Sequence, residues 1–481
     1  MSGASLLKFF NMVCKEYNHS LPFRSCNVKL QLQPGHNLND ISLYLHILTK
    51  PKMKRPRSII VALLALACSA GYAQNPRAEI AQNKLFSGAN FYAYPVPEDV
   101  AYTKAPDGYK PFYISTYARH GSRYHIHPSE YGAALSVLQK ADSANALTAK
   151  GEEVLSKVAR IQRQSDGRLG ELTPLGARQH RGIAERMYKN FPEIFAEEID
   201  VDARSTVVIR CILSMESECQ RLQALNPKLR IRNDASYHDM YYMNYNDDTL
   251  ITTSKNAKAK HLKAFQKKHI HPERLMTVLF KNKNYLKKSG VDPQKFMADL
   301  FFVAMNMQSH DEKDLDILDV FTPDECYDLW SCQNVQWYLS SGDTPLTQHR
   351  MPYREANLLQ NIIETADTCI VRDEPFATMR FGHESCLLPL AVLMELGDCP
   401  YVTDDLETLA DNWQCQRYFP MASNLQFVFY RKSGSDDILV RTMLNEKEMT
   451  MPVKSDCAPY YHWSDVKKYY QEKLAKKPYN L

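Results

Sequence analysis

"YKPFYISTYARHGSRY" (109–124) runs from an aromatic, β-branched stretch straight into Arg119, His120 and Arg123, three polar side chains within five positions. Residues 109–118 have the composition of a buried strand, and the polar cluster with Gly121 reads as a short turn at its carboxyl end. In open α/β sheets, ligands bind just beyond the carboxyl ends of strands. A second stretch repeats the arrangement. In "PFATMRFGHES" (375–385) a β-prone run ends in Gly382, His383 and Glu384, and an apolar helix follows as far as Gly397.

The rest of the chain supplies strands and helices around these two ends. Residues 129–163 are periodic as interrupted helix. "GELTPLGARQHRGIAERMYKNFPEIF" (170–195) opens an amphipathic helix, with Thr173 as N-cap and Pro174 at the first helical position, running to about Lys189. "ARSTVVIRCILSMES" (203–217) reads as a β-branched strand feeding a helix that carries Arg210. Residues 236–350 lack strand signals, with an aromatic run at 237–245, a basic helical stretch at 255–269 and several more helices. "LQFVFYR" (425–431) and "DILVRTMLN" (437–445) return to strand. The pattern predicts an α/β fold with a central, mostly parallel sheet flanked by helices and an inserted α-helical cap subdomain. The core covers about 85–235 and 351–481, the cap insertion about 236–350, and residues 74–84 read as a polar linker.

Composition narrows the class. Of 481 residues, 44% are apolar and 24% charged, and the formal net charge is +4. That balance suits a globular enzyme and excludes a nucleic-acid binder, which concentrates a larger basic excess. "MKRPRSIIVALLALACSAGYA" (53–73) has a basic start, a short apolar core and small residues at its end. It reads as a secretory signal peptide, too short in its apolar run to span a bilayer. A buried helix, a signal anchor or a lipoprotein signal at Cys68 are the weaker readings. Residues 1–52 are then a non-native N-terminal extension, and the mature protein of residues 74–481 is exported, periplasmic or secreted. Nine of the chain's twelve cysteines, Cys211 to Cys457, belong to that mature part. An oxidising compartment makes Cys326 with Cys332 a candidate local disulfide.

Arg119, Arg123 and Arg210 together would hold a tetrahedral dianion, since each guanidinium offers a planar fork of donors. His120 among them is a poor base, because surrounding positive charge favours its neutral form, and a good nucleophile towards phosphorus. His383 would add a donor to the phosphoryl oxygens, and Glu384 would protonate the departing alkoxide. Singly, each residue is ordinary. The joint placement at two strand ends, with Arg210 behind a third, points to phosphoryl chemistry.

"ARHGSRY", "RSTVVIR" and "GHE" resemble the RHGxR motif, the RSTxxxR segment and the C-terminal histidine-acid dipeptide of the histidine acid phosphatases. RHG alone is shared with phosphoglycerate mutases; the set is specific. "ELTPLGARQH" (171–180) is similar to the helix after that family's LTxxG turn. "RFGHESCLLPL", "PMASNLQFVFYR" and "ILVRTMLNEKE" are similar to the C-terminal half of multiple inositol polyphosphate phosphatases, and the resemblance covers about residues 85–470. It implies His120 as the phosphorylated nucleophile, Arg119, Arg123, Arg210 and His383 as phosphate ligands, and Glu384 as proton donor. Where that branch has His-Ala-Glu, this chain has His383-Glu384-Ser385.

The implied activity is a phosphomonoesterase on inositol polyphosphates, with neither cofactor nor metal. The partner is a small-molecule substrate; no nucleic acid and no stable membrane span are expected, and the protein is expected to be a monomer. Acid phosphatase activity on sugar phosphates or other small esters is the nearest alternative, and a silent phosphate-binding protein the next. The basic face Lys255–Lys268 suits solvent more readily than a polyanion, and His125 and His127 suit local structural roles.

Overall fold

The computed structural model describes residues 75–97, 101–245, 247–312 and 314–476. Residues 1–52 and the signal-like stretch 53–73 lie outside them. An eight-stranded sheet runs through the molecule in the order β3-β2-β4-β1-β5-β6-β7, with β8 pairing β6. Its strands are β1 (Tyr109–Arg119), β2 (Asp200–Ser205), β3 (Arg230–Ala235), β4 (Phe376–Gly382), β5 (Asn424–Lys432), β6 (Ile438–Leu444), β7 (Lys447–Glu448) and β8 (Tyr460–His462). From β3 to β1 the pairings are parallel; β5 and everything beyond it pair antiparallel. The parallel half carries both ends singled out from the sequence.

β1 reads as a near-continuous apolar run because both its faces are covered. On one face, Ile114 and Ala118 pack with Met379 and Phe381 of β4 against helices Pro174–Asn190 and Ile209–Leu225. On the other, Tyr113 and Tyr117 join a larger cluster fed by helices Ala356–Ile370, Glu384–Leu393 and Trp463–Ala475. Among the described residues no strand lies between Ala235 and Phe376. That helical stretch shares its apolar interior with helices Pro128–Ser143 and Ala149–Ser165: Leu138, Val154 and Val158 belong to one cluster with Leu279, Phe296 and Leu300. No described helix is long and apolar enough to cross a membrane.

Three expectations change. Residues 76–82 are a helix rather than a linker: Asn75 accepts from the Ala78 amide, Pro76 takes the first turn, and Ile80 is fully buried. The strand in "ARSTVVIR" stops at Ser205, so the β-branched Thr206–Val208 form the turn into the next helix. Cys326 and Cys332 both lie on the helix Pro323–Ser341 and are free, as are the other seven described cysteines. Six positions apart on that helix, they stand about 9 Å from each other along its axis, beyond a disulfide's Cα span.

Candidate active site

The register of the parallel strands fixes the site. Arg119 pairs with Gly382, and Ser205 with Phe381, so His120, His383 and Thr206 emerge side by side at three adjacent carboxyl ends. The turn after β1 is then pinned on both flanks. Thr173 donates from its amide and its hydroxyl to the Ser122 carbonyl, at 2.9 and 3.0 Å. It also caps Gly176 at the start of its helix. A Cβ on Gly121 would lie 2.5 Å from the Gly176 carbonyl oxygen, and one on Gly176 would lie 2.3 Å from that of Ser122. Two backbones touch here, and only glycines allow it. On the other flank the Gly121 amide donates to Ser214 Oγ at 3.0 Å, tying the turn to the helix that bears Arg210.

His120 is fully buried and donates Nδ1–H to the Gly121 carbonyl at 2.8 Å, which leaves Nε2 as the bare lone pair. Burial holds the imidazole well below its usual range against the pull of Glu384, and Arg210 and Arg119 add to the effect. Its Nε2 has no hydrogen-bond partner. Arg119, also fully buried, spends Nη1 on the carbonyls of Asn90 (2.7 Å) and Phe419 (2.8 Å). The two anchors leave Nη2 unpaired and set Nε 3.1 Å from Glu384 Oε2. Beneath it, the buried His180–Glu218 pair (2.8 Å) meets the Arg119 carbonyl through His180 Nε2 at 3.2 Å.

Arg123 lies over the Phe91 ring, and burial pushes its guanidinium down to about 10. Arg210 reaches the Gly170 carbonyl at 3.5 Å. The Nε atoms of Arg123 and Arg210 are buried and unpartnered. His383 Nε2 sits 3.3 Å from Thr206 Oγ1, its ring 5.8 Å from that of His120, and burial followed by Arg210 pushes it down to about 4. Cys211 Sγ touches the same ring but donates to the Gly382 carbonyl, and burial keeps it a thiol.

Glu384 lies at the centre of this ring of cations. Its Oε2 is 3.1 Å from Arg119 Nε and 3.3 Å from His120 Nε2. Burial opposes its charge, but the Arg119 guanidinium first, and Arg123 with it, prevail and hold the carboxyl well below its usual range. All six residues singled out from the sequence therefore meet. The ligand atoms of His120, His383 and Glu384 are close enough to share a cation, but the three guanidiniums beside them oppose one. The arrangement suits a tetrahedral anion, since buried orphan donors on Arg119, Arg123 and Arg210 mark a place made for acceptors. His125 belongs elsewhere: it is buried, stacked on Phe302, with Nε2 3.2 Å from the Phe302 carbonyl. His127 is the N-cap of the helix Pro128–Ser143. Thr206 and the carbonyls of Asn90 and Phe419 were not foreseen. Only Thr206, just past a strand end, carried a signal.

Among known proteins, the family profile described as the histidine phosphatase superfamily (branch 2) matches residues 115–445. The fold is similar to that of the Bifidobacterium longum multiple inositol polyphosphate phosphatase in complex with inositol hexasulfate. Their TM-score is 0.67 at 18% identity, covering 80% of this chain and 97% of that one. The phytase from D. castellii gives 0.60 at 14% identity, covering 82% and 85%. At these identities the likeness is one of fold. No curated protein matches the sequence.

Proposed function

Because the chain belongs to the histidine phosphatase superfamily (branch 2), we propose that it is a phosphomonoesterase that hydrolyses inositol polyphosphates through a phosphohistidine at His120. The observation that carries this reading is the bare Nε2 of a buried, neutral His120 beside three arginines with unpaired donors. The inositol polyphosphate class is supported by the "RFGHESCLLPL" and "PMASNLQFVFYR" segments and by the fold neighbour crystallised with inositol hexasulfate. The segment 53–73 supports export to the periplasm or beyond.

In the first step His120 Nε2 attacks phosphorus as the ester P–O bond breaks on the opposite side. Nδ1–H stays on the Gly121 carbonyl, which stabilises the positive phosphoimidazole. Arg119, Arg123, Arg210 and His383 hold the equatorial oxygens. Glu384 gives its proton to the leaving alkoxide. In the second step the Glu384 carboxylate takes a proton from water, the water oxygen bonds to phosphorus, and the N–P electron pair returns to His120. Glu384 is ionised in the resting site. A bound phosphate dianion takes over the arginines and raises the neighbouring carboxyl, so that it picks up the proton it later donates.

The test uses residues 74–481, phytate, glucose phosphate and an aryl phosphate. Phytate should be dephosphorylated preferentially, with net retention at a chiral phosphorus. His120→Ala should abolish turnover while inorganic phosphate still binds. Comparable rates on phytate and glucose phosphate would move the substrate class to small esters, and net inversion would overturn the phosphohistidine.

A further inference from the structure

Directly behind the His383–Glu384 turn lies a cluster of buried polar side chains that the chemistry above leaves unused. Tyr117, on β1 and fully buried, extends its hydroxyl to the end of the neighbouring strand. Oη accepts from the His383 amide at 3.2 Å and donates to the Met243 carbonyl at 3.3 Å. Cys386 Sγ lies 3.7 Å from the same carbonyl and 3.5 Å from Asn244 Oδ1. A Cβ at residue 382 would fall 2.0 Å from Tyr117 Oη. Gly382 therefore owes its identity to the phenol end of Tyr117, whose Cζ would also lie 2.8 Å away, since its own backbone is ordinary strand.

The surrounding groups keep the hydroxyl neutral. Burial keeps Tyr117 protonated, so its single proton is committed to the Met243 carbonyl. The acid whose charge bears on Tyr117 is Glu355, fully buried with neither carboxyl oxygen hydrogen-bonded, and burial pushes it up to about 8. Near neutral pH it is uncharged and does not pull the phenol away. Met243 and Asn244 belong to the start of the helical stretch, and His383 to the end of β4. One oxygen thus joins β1, the turn bearing Glu384 and the first residues of the helical layer.

We propose that Tyr117 is a positioning residue for the reaction: its hydroxyl fixes the His383–Glu384 turn against the Met243 segment and so sets the aim of the Glu384 carboxyl at the leaving-group oxygen. This rests on Glu384 as the proton donor.

The experiment compares Tyr117→Phe, Gly382→Ala and Glu384→Gln on phytate and on nitrophenyl phosphate, whose phenolate leaves without a proton. Tyr117→Phe should lower kcat on phytate roughly 10- to 100-fold, the cost of an ångström-scale misplacement. It should lower kcat on the aryl ester much less, since that ester's leaving group needs no proton. Gly382→Ala keeps the hydroxyl but displaces it, so it should show the same leaving-group bias. It carries the test by itself if Tyr117→Phe does not fold. The double variant should lose no more than the worse single variant, because both act through one contact. Glu384→Gln with equal losses on the two esters would remove the donor reading and the proposal with it. A leaving-group bias in Glu384→Gln but none in the folded Tyr117 and Gly382 variants would overturn the role of Tyr117 alone.

Discussion

Glu384 makes the resting site internally neutralised, and that has a measurable proton balance. Its carboxyl is held well below the usual range by Arg119 and Arg123, so it is ionised before ligand arrives. Phosphate displaces it from the arginines and, as a like charge, raises it. Between the two values, binding takes up as much as one proton, and affinity for phosphate should fall as pH rises through the upper one. Calorimetry of phosphate binding to His120→Ala, in two buffers of different ionisation heat, measures the uptake; none at any pH from about 4 to 7 would refute the displacement. His120, His383, Glu384 and the three arginines were legible because each follows a strand end or a strand-to-turn signal in the sequence. The Asn90 and Phe419 carbonyls that orient Arg119 were not, since any residue type supplies a carbonyl and only the fold decides which one arrives.

At the scale of elements, the turn after β1 depends on a backbone contact between Gly121 and the first turn of the helix Pro174–Asn190. Gly121→Ala should cost roughly 1–3 kcal/mol, typical of overpacking, and nearly all activity, because the turn must lift off Gly176 and carry His120 with it. Urea unfolding and kcat of the folded variant check both parts. A fully active, equally stable variant would show that the turn has room to shift. The same helix illustrates what local sequence encodes. Thr173 and Pro174 predicted its start because a cap and a fixed φ act within one turn. The helix Pro76–Gln82 carries the same kind of signal in Asn75 and Pro76, but its seven residues are too few to display an apolar period. In "RSTVVIR" the β-branched residues predicted more strand than exists, since the parallel pairing with β4 ends at Ser205 and the chain must turn there.

Across the whole molecule, acid stability should depend on a histidine buried between layers. His310 follows the helix Pro293–Asn306, meets Tyr131 (3.2 Å) and Gln164 (3.0 Å), and burial pushes it down to about 4. The unfolded chain binds this proton near pH 6.5 and the folded chain only near 4, so stability falls as pH drops between those values. The loss is on the order of 3 kcal/mol at its full extent. His310→Gln should flatten that part of the profile in chemical unfolding at several pH values; an unchanged slope would assign it to other groups. The strand order has a further consequence, in the timing of folding. β1 has only β4 and β5 as neighbours, and β4 must slot between β1 and β2. Until residues 376–382 have been synthesised, β1 is an apolar strand with two open edges, and the two histidine-bearing ends cannot meet. Closure of the sheet is therefore late and non-local, a slow step that exposes strand edges to other chains. A chain cut short before Phe376 should aggregate rather than keep a fraction of the activity.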